Sequence, residues 1–146
     1  MKETYEDFTE VQKKEILLAI EQAELNTSGE IRLHVEETCK IDPTVRAVKV
    51  FEKLKMNKTK LRNGVLFYIA LGDKKFAIIG DKGINDLVEV NFWEDIKDAM
   101  LKFFIKDALS SGLCLGIQMA GMKLKTHFPY ALNDENELTN DISFQE

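Results

Sequence analysis

The chain has 146 residues, long enough to bury roughly two thirds of the surface its unfolded form exposes, so one domain with its own core is expected. Apolar residues make up 45% and charged residues 31%, which excludes wholesale disorder, a fibre or a membrane bundle, and no apolar run approaches the roughly 18 residues of a membrane span. A net charge of −5 argues against general nucleic-acid binding, the acidic start lacks a secretory apolar stretch, and the lone Cys39 and Cys114 make no disulfide framework, so a cytoplasmic protein with reduced thiols is expected.

Thr9-Glu10-Val11-Gln12 is a capping box, and Ile16, Ala19, Ile20 and Ala23 then form one stripe of a first helix that ends at 26–29. Residues 30–37 alternate strictly, with Ile31, Leu33 and Val35 on one face and Glu30, Arg32, His34 and Glu36 on the other. That is the period of a half-exposed strand near an edge. Asp42-Pro43 caps a second helix reaching about Met56, whose buried stripe is Ala47, Val50, Phe51 and Leu54. The run 65–71 is apolar on both faces, as in a central strand covered on both sides. Gly72-Asp73-Lys74 turns it into a third strand at 76–79, making a hairpin.

Asn91 and Glu94 bracket the start of a third helix, with Trp93, Ile96, Met100 and Phe103 as its inner edge. Ser110-Ser111-Gly112 is expected to break the chain before a fourth helix carrying Leu113, Ile117, Ala120 and Leu124, which Pro129 ends. A single α/β domain over 1–129 follows, with 130–146 as an acidic tail, docked or loose, carrying Asp134, Glu135, Glu137, Asp141 and Glu146.

The helical crossover makes the first two strands parallel, and the hairpin runs the third back. The starts of strands one and two and the end of strand three therefore share one rim, which gathers Glu30, Asn63, Asp81, Asn85 and Asp86 around three glycine-containing strand ends. Carboxylate and amide oxygens beside irregular backbone suit a hard dication, Ca²⁺ or Mg²⁺. The bland alternative is that 81–86 only forms turns, since the EF-hand pattern is absent. The opposite rim offers Glu36, Glu37, Asp42 and Asp73 and ranks second, because Asp42 already serves as a cap. The basic run 46–62 and Lys82 place Lys58, Lys60, Arg62 and Lys82 where they can contact an anion or a partner, although lysines in a last helical turn are often simply solvated. His34 and His127 lack zinc-ligand spacing, and no serine elbow, phosphate loop or dinucleotide fingerprint occurs.

In order and spacing, Thr27-Ser28-Gly29-Glu30-Ile31-Arg32-Leu33, Lys58-Thr59-Lys60-Leu61-Arg62-Asn63-Gly64-Val65-Leu66, Phe76-Ala77-Ile78-Ile79-Gly80-Asp81-Lys82-Gly83-Ile84 and the helix from Phe92 resemble the TPM domain. That family is shared by thylakoid-lumen photosystem-repair proteins, a worm receptor modulator and many bacterial proteins, and the resemblance is to soluble bacterial members. It implies a three-layer α/β/α sandwich, with a short mixed sheet, one βαβ unit, a hairpin and helices on both faces. It also implies divalent-metal binding and, for a lumenal branch, acid phosphatase activity. Asp81-Lys82 departs from the uncharged or aromatic pair common between the family's glycines, and neither a leader nor a transmembrane tail is expected.

The leading expectation is a non-catalytic, divalent-metal-binding module for a protein partner, associated with stress or repair, monomeric, and neither nucleic-acid-binding nor membrane-inserted. The alternative is a metal-dependent acid phosphatase in which Arg62, Lys60 or Lys82 stabilises developing charge.

Overall fold

The Thr9 hydroxyl accepts from Gln12 N and the Gln12 side chain accepts from Thr9 N, closing the capping box that starts α1 (Glu10–Glu24). The computed structural model describes residues 8–130 and 142–144. After α1 come β1 (Glu30–Glu36), α2 (Pro43–Lys53), β2 (Gly64–Ala70), β3 (Lys75–Gly80), the single-turn α3 (Lys82–Asn85), α4 (Glu94–Phe104), α5 (Leu109–Leu124) and β4 (Ser143–Phe144). The strand order is β3-β2-β1-β4, with β1 parallel to β2 and to β4, and β3 antiparallel to β2.

Alternation along the strands sorts side chains into two cores. Ile31, Leu33, Val35, Val65, Phe67 and Ile69 face α1, α4 and α5, while Leu66, Tyr68, Ala70 and Ala77 face α2. This is the expected sandwich. The apolar stripes on α1 and α5 are buried as the spacing predicts, Ile16, Ile20, Leu113 and Ile117 among them.

Four local expectations change. The polar face of β1 is not half-exposed: Glu30, His34 and Glu36 are all buried, with Arg46 of α2 and Tyr68 of β2 on Glu36 and Ser143 of β4, the strand added beside β1, on His34. Residues 81–86 are not plain turns, since Asp81 caps the short α3. Ser110, Ser111 and Gly112 lie inside the first turn of α5, and the break comes instead just before it, where Asp107 adopts φ 59°. Phe103 is turned outward, and its neighbour Phe104 makes the inward contact, edge-on to Phe76 at 5.0 Å. A one-residue error in a helix face is 100° of rotation, which the paired phenylalanines cannot reveal on their own.

Of the tail, β4 adds to the free side of β1, pairing His34 with Ser143 and Val35 with Phe144. The strand period sends Ile142 and Phe144 toward the larger core and Ser143 to the other face. The acidic residues Asp134, Glu135, Glu137, Asp141 and Glu146 lie outside the described residues.

Candidate functional site

The pairings Glu30 with Gly64 and Val65 with Gly80 bring the starts of β1 and β2 and the end of β3 to one rim, as the chain directions require. Glu30, Asn63 and Asp81 lie there and are buried, whereas Asn85, on α3, and Asp86, which caps it, are exposed. Arg62 is left-handed at φ 50° and lays its guanidinium on Asp81, with Nε 2.8 Å from Oδ2 and Nη2 2.9 Å from Oδ1. Oδ1 also accepts from Lys82 N at 2.7 Å. Asn85 donates its amide to Gly80 O at 2.7 Å, and Asp86 pairs with Lys82 Nζ at 3.1 Å. Lys58 and Lys60 are exposed on the loop leading in.

This donor set does not fit a hard dication. Both Asp81 oxygens are engaged by a bidentate guanidinium, and a metal would have to displace it among the further positive charges of Lys58, Lys60 and Lys82. Asn63 Oδ1 is buried there with no hydrogen-bond partner, a single neutral oxygen among these charges. Beside the Arg62–Asp81 pair, a cavity of about 660 Å³ opens between α2 and β3, with Trp93, packed on Gly80, in its wall.

At the opposite rim the β2–β3 turn crosses the loop that follows β1. Glu37 O accepts from Gly72 N at 2.8 Å and from Asp73 N at 3.3 Å, and Asp73 Oδ2 accepts from Cys39 N at 2.7 Å. A Cβ at position 72 would stand 2.3 Å from Glu37 Oε1, so only glycine lets the Glu37 carboxylate lie beneath the turn. Lys75 Nζ donates to Cys39 O at 3.0 Å, so one ammonium stands at the crossing, held by a backbone carbonyl and not by either carboxylate. Asp42 remains a cap, with Oδ1 2.8 Å from Thr44 N. No group of three or more His, Cys, Asp or Glu side chains converges as a metal shell among the described residues. A hard cation here would take the Glu37 and Asp73 carboxylates and complete its shell from backbone carbonyls and water, which suits Ca²⁺ or Mg²⁺ chemistry.

Beneath α2 lies a cluster that local reading of the sequence could not assemble. Glu36, whose side chain is 2% exposed, accepts from Arg46 through both oxygens, from Tyr68 Oη at 2.5 Å and from His34 Nε2 at 3.1 Å. His34 stacks on Tyr68, its neighbour on β2, with ring planes 14° apart, and its Nδ1 is 2.7 Å from Ser143 Oγ. Burial pushes the Glu36 carboxyl up, but the three donors outweigh it and hold the group below the usual carboxylate range. Burial lowers the His34 imidazole more than the Glu36 hydrogen bond raises it, so the ring is neutral around pH 7. The sequence signal was present in the alternation of β1, since Glu, Arg, His and Glu at successive even positions share one face. What covers that face is set by α2 and a strand 109 residues away.

Both depressed values act on stability in the same direction. For each group the unfolded chain binds its proton at higher pH than the folded one, so the unfolded state holds more protons in between and stability rises with pH. His34 contributes fully above its unfolded value of 6.5 and Glu36 above 4.5, and each contribution is lost as pH falls through the lower folded value. Urea midpoints are expected to fall in two steps on acidification, and His34→Gln should remove the upper one.

Among the described residues, no helix is long and apolar enough to cross a membrane. The TPM domain family matches residues 5–123 of this chain. The BA42 protein from the psychrophilic bacterium Bizionia argentinensis, solved by NMR, is similar over 94% of this chain and 95% of its own, with 48% identity and a TM-score of 0.90. The N-terminal domain of the cg2496 protein from Corynebacterium glutamicum shares the fold at a TM-score of 0.61 and 11% identity, over 95% of this chain and 80% of that one. No curated protein matches. With the sandwich, the mixed sheet and most of the chain length in agreement, this chain belongs to the TPM domain family.

Proposed function

We propose that the domain is a divalent-cation-binding module, of Ca²⁺ or Mg²⁺ type, that recognises a protein partner and performs no chemistry at its cation site. The cation is assigned to the crossing of the loop after β1 with the β2–β3 turn, and Glu37 and Asp73 supply the carboxylates. One observation carries this reading: the Glu37 carboxylate occupies the place of a Cβ at Gly72, directly under the turn that presents Asp73. The Glu37 side chain under the turn and the Asp73 side chain fixed by Cys39 N stand on two crossing backbones that a bound cation would tie.

Calcium or magnesium titrated into the full chain, followed by calorimetry and thermal unfolding, tests it. At about 100 times the dissociation constant the melting temperature is expected to rise by roughly 5–10 °C. Glu37→Gln and Asp73→Asn, which preserve shape and the Asp73 acceptor to Cys39, should each remove the rise, and Asp81→Ala should retain it. The reverse pattern would move the cation to the Arg62 rim and overturn the assignment. Phosphate-ester turnover that needs added metal and vanishes in Asp81→Ala would support the hydrolase instead.

A further inference from the structure

The cluster beneath α2 is distinct from the residues assigned to the cation, and its geometry has a chemical meaning of its own. Ser143 Oγ, His34 and Glu36 form one hydrogen-bonded chain, 2.7 Å from hydroxyl to Nδ1 and 3.1 Å from Nε2 to carboxylate. Glu36 accepts from Arg46 through both oxygens and from Tyr68 Oη, so it meets His34 as an acceptor and Nε2 carries the ring proton. Nδ1 then presents its lone pair to Ser143. The other acceptor near that hydroxyl, Leu33 O at 3.3 Å, is the weaker partner on distance. A hydroxyl donating to a neutral imidazole, which a buried carboxylate orients from behind, is the arrangement that activates a serine, and it is recognised by geometry rather than by sequence spacing.

The chain ends in open space. A cavity of about 360 Å³ is lined by Ser143, His34 and Glu36 together with Arg32, Arg46 and Lys53. The volume suits a small molecule, and Arg32 from β1 with Lys53 and the Glu36-paired Arg46 from α2 give the lining positive charge that favours a negative ligand in a protein whose net charge is −5.

We propose that Ser143 is the nucleophile of an acyl-transfer site in this cavity, with His34 as its general base, Glu36 as a positioning residue, and a small negatively charged ester as substrate. The Ser143 proton passes to His34 Nδ1 as Oγ bonds to the ester carbonyl carbon, whose π pair moves to oxygen and is stabilised by the cationic side chains lining the cavity. Collapse of this adduct breaks the bond to the alkoxide leaving group, which takes the proton from Nδ1. Water attacks the acyl-serine by the same route, releasing the acid and restoring the hydroxyl, so the net reaction is ester plus water to acid plus alcohol.

The test treats the full chain with an alkyl fluorophosphonate, which bonds to activated serine oxygens with loss of fluoride, and locates the adduct by peptide mass spectrometry. Ser143 should be labelled about 100-fold faster than any other serine, and His34→Gln should slow it by a similar factor. The wild-type rate should rise with pH and level off at the His34 inflection. Burial is the largest influence on that inflection, followed by Glu36 on β1 and then Arg46 and Lys53 on α2, while Arg32 on β1, Tyr68 on β2 and Ser143 on β4 also face the ring or its cavity. In Glu36→Gln it should move to lower pH, a shift that a merely structural role would not produce. The aryl hemisuccinate should be hydrolysed with about 10-fold higher kcat/KM than the neutral aryl acetate, and Ser143→Ala should abolish both turnovers. Because the pH profile needs no variant, misfolding cannot mask the outcome. Folded wild type whose Ser143 reacts no faster than other serines, or at a rate flat with pH, overturns the proposal and leaves β4 as a structural latch.

Discussion

Arg46→Ala is expected to lower unfolding stability by roughly 3–5 kcal/mol, read as a shift in urea midpoint at unchanged slope. The size follows from which partner stays buried. The Glu36 side chain is 2% exposed and that of Arg46 is 32% exposed, so losing the arginine strands a carboxylate in the interior with only Tyr68 and His34 as donors. The reverse change, Glu36→Ala, should cost less, because the guanidinium can swing into water, although it leaves the Tyr68 hydroxyl without its acceptor. Replacing both together, Glu36→Leu with Arg46→Met, should recover much of the loss, since neither desolvated charge remains. An Arg46→Ala effect below about 1 kcal/mol would mean that the pair behaves like an exposed one.

Gly83→Ala should destabilise by about 3 kcal/mol, near the upper end of overpacking effects. A Cβ there would lie 2.1 Å from Leu61 O and 2.6 Å from Arg62 O, and both obstacles are backbone, so no rotamer change relieves the overlap. The substitution must part α3 from the 61–62 turn and break the bond from Gly83 N to Arg62 O at 2.9 Å, loosening the hold of Arg62 on Asp81. Trp93 is the single tryptophan and packs on Gly80 beside that pair, so its fluorescence reports the separation directly. An unchanged midpoint together with an unchanged spectrum would show that the turn and α3 are not mechanically coupled.

The two rims and the buried cluster differ in how far they could be foreseen. That Glu30, Asn63 and Asp81 share a rim followed from chain direction alone, since a parallel crossover and a hairpin leave no other arrangement. That Asp81 faces an arginine did not follow, because the left-handed backbone at Arg62 aims the guanidinium inward, and nothing in the residue types announces it. Glu37 and Asp73 were legible as neighbours across the opposite rim. That the Glu37 carboxylate lies under the Gly72 turn required the loops to cross.

By itself the sequence determined the elements whose physics is local. The Thr9 cap, the Asp42-Pro43 helix start, the doubly apolar β2 and the hairpin at 72–74 depend on residues within a turn or two of one another, and from them the layers and strand directions follow. Only the tertiary structure decided the fate of the polar face of β1. Alternation shows that Glu30, Arg32, His34 and Glu36 lie together, but their burial depends on α2 and β4, and Ser143 reaches His34 across 109 residues. Desolvation comes from everything packed around a group, so the charge states that set the chemistry of Glu36 and His34 exist only once the chain has closed over them.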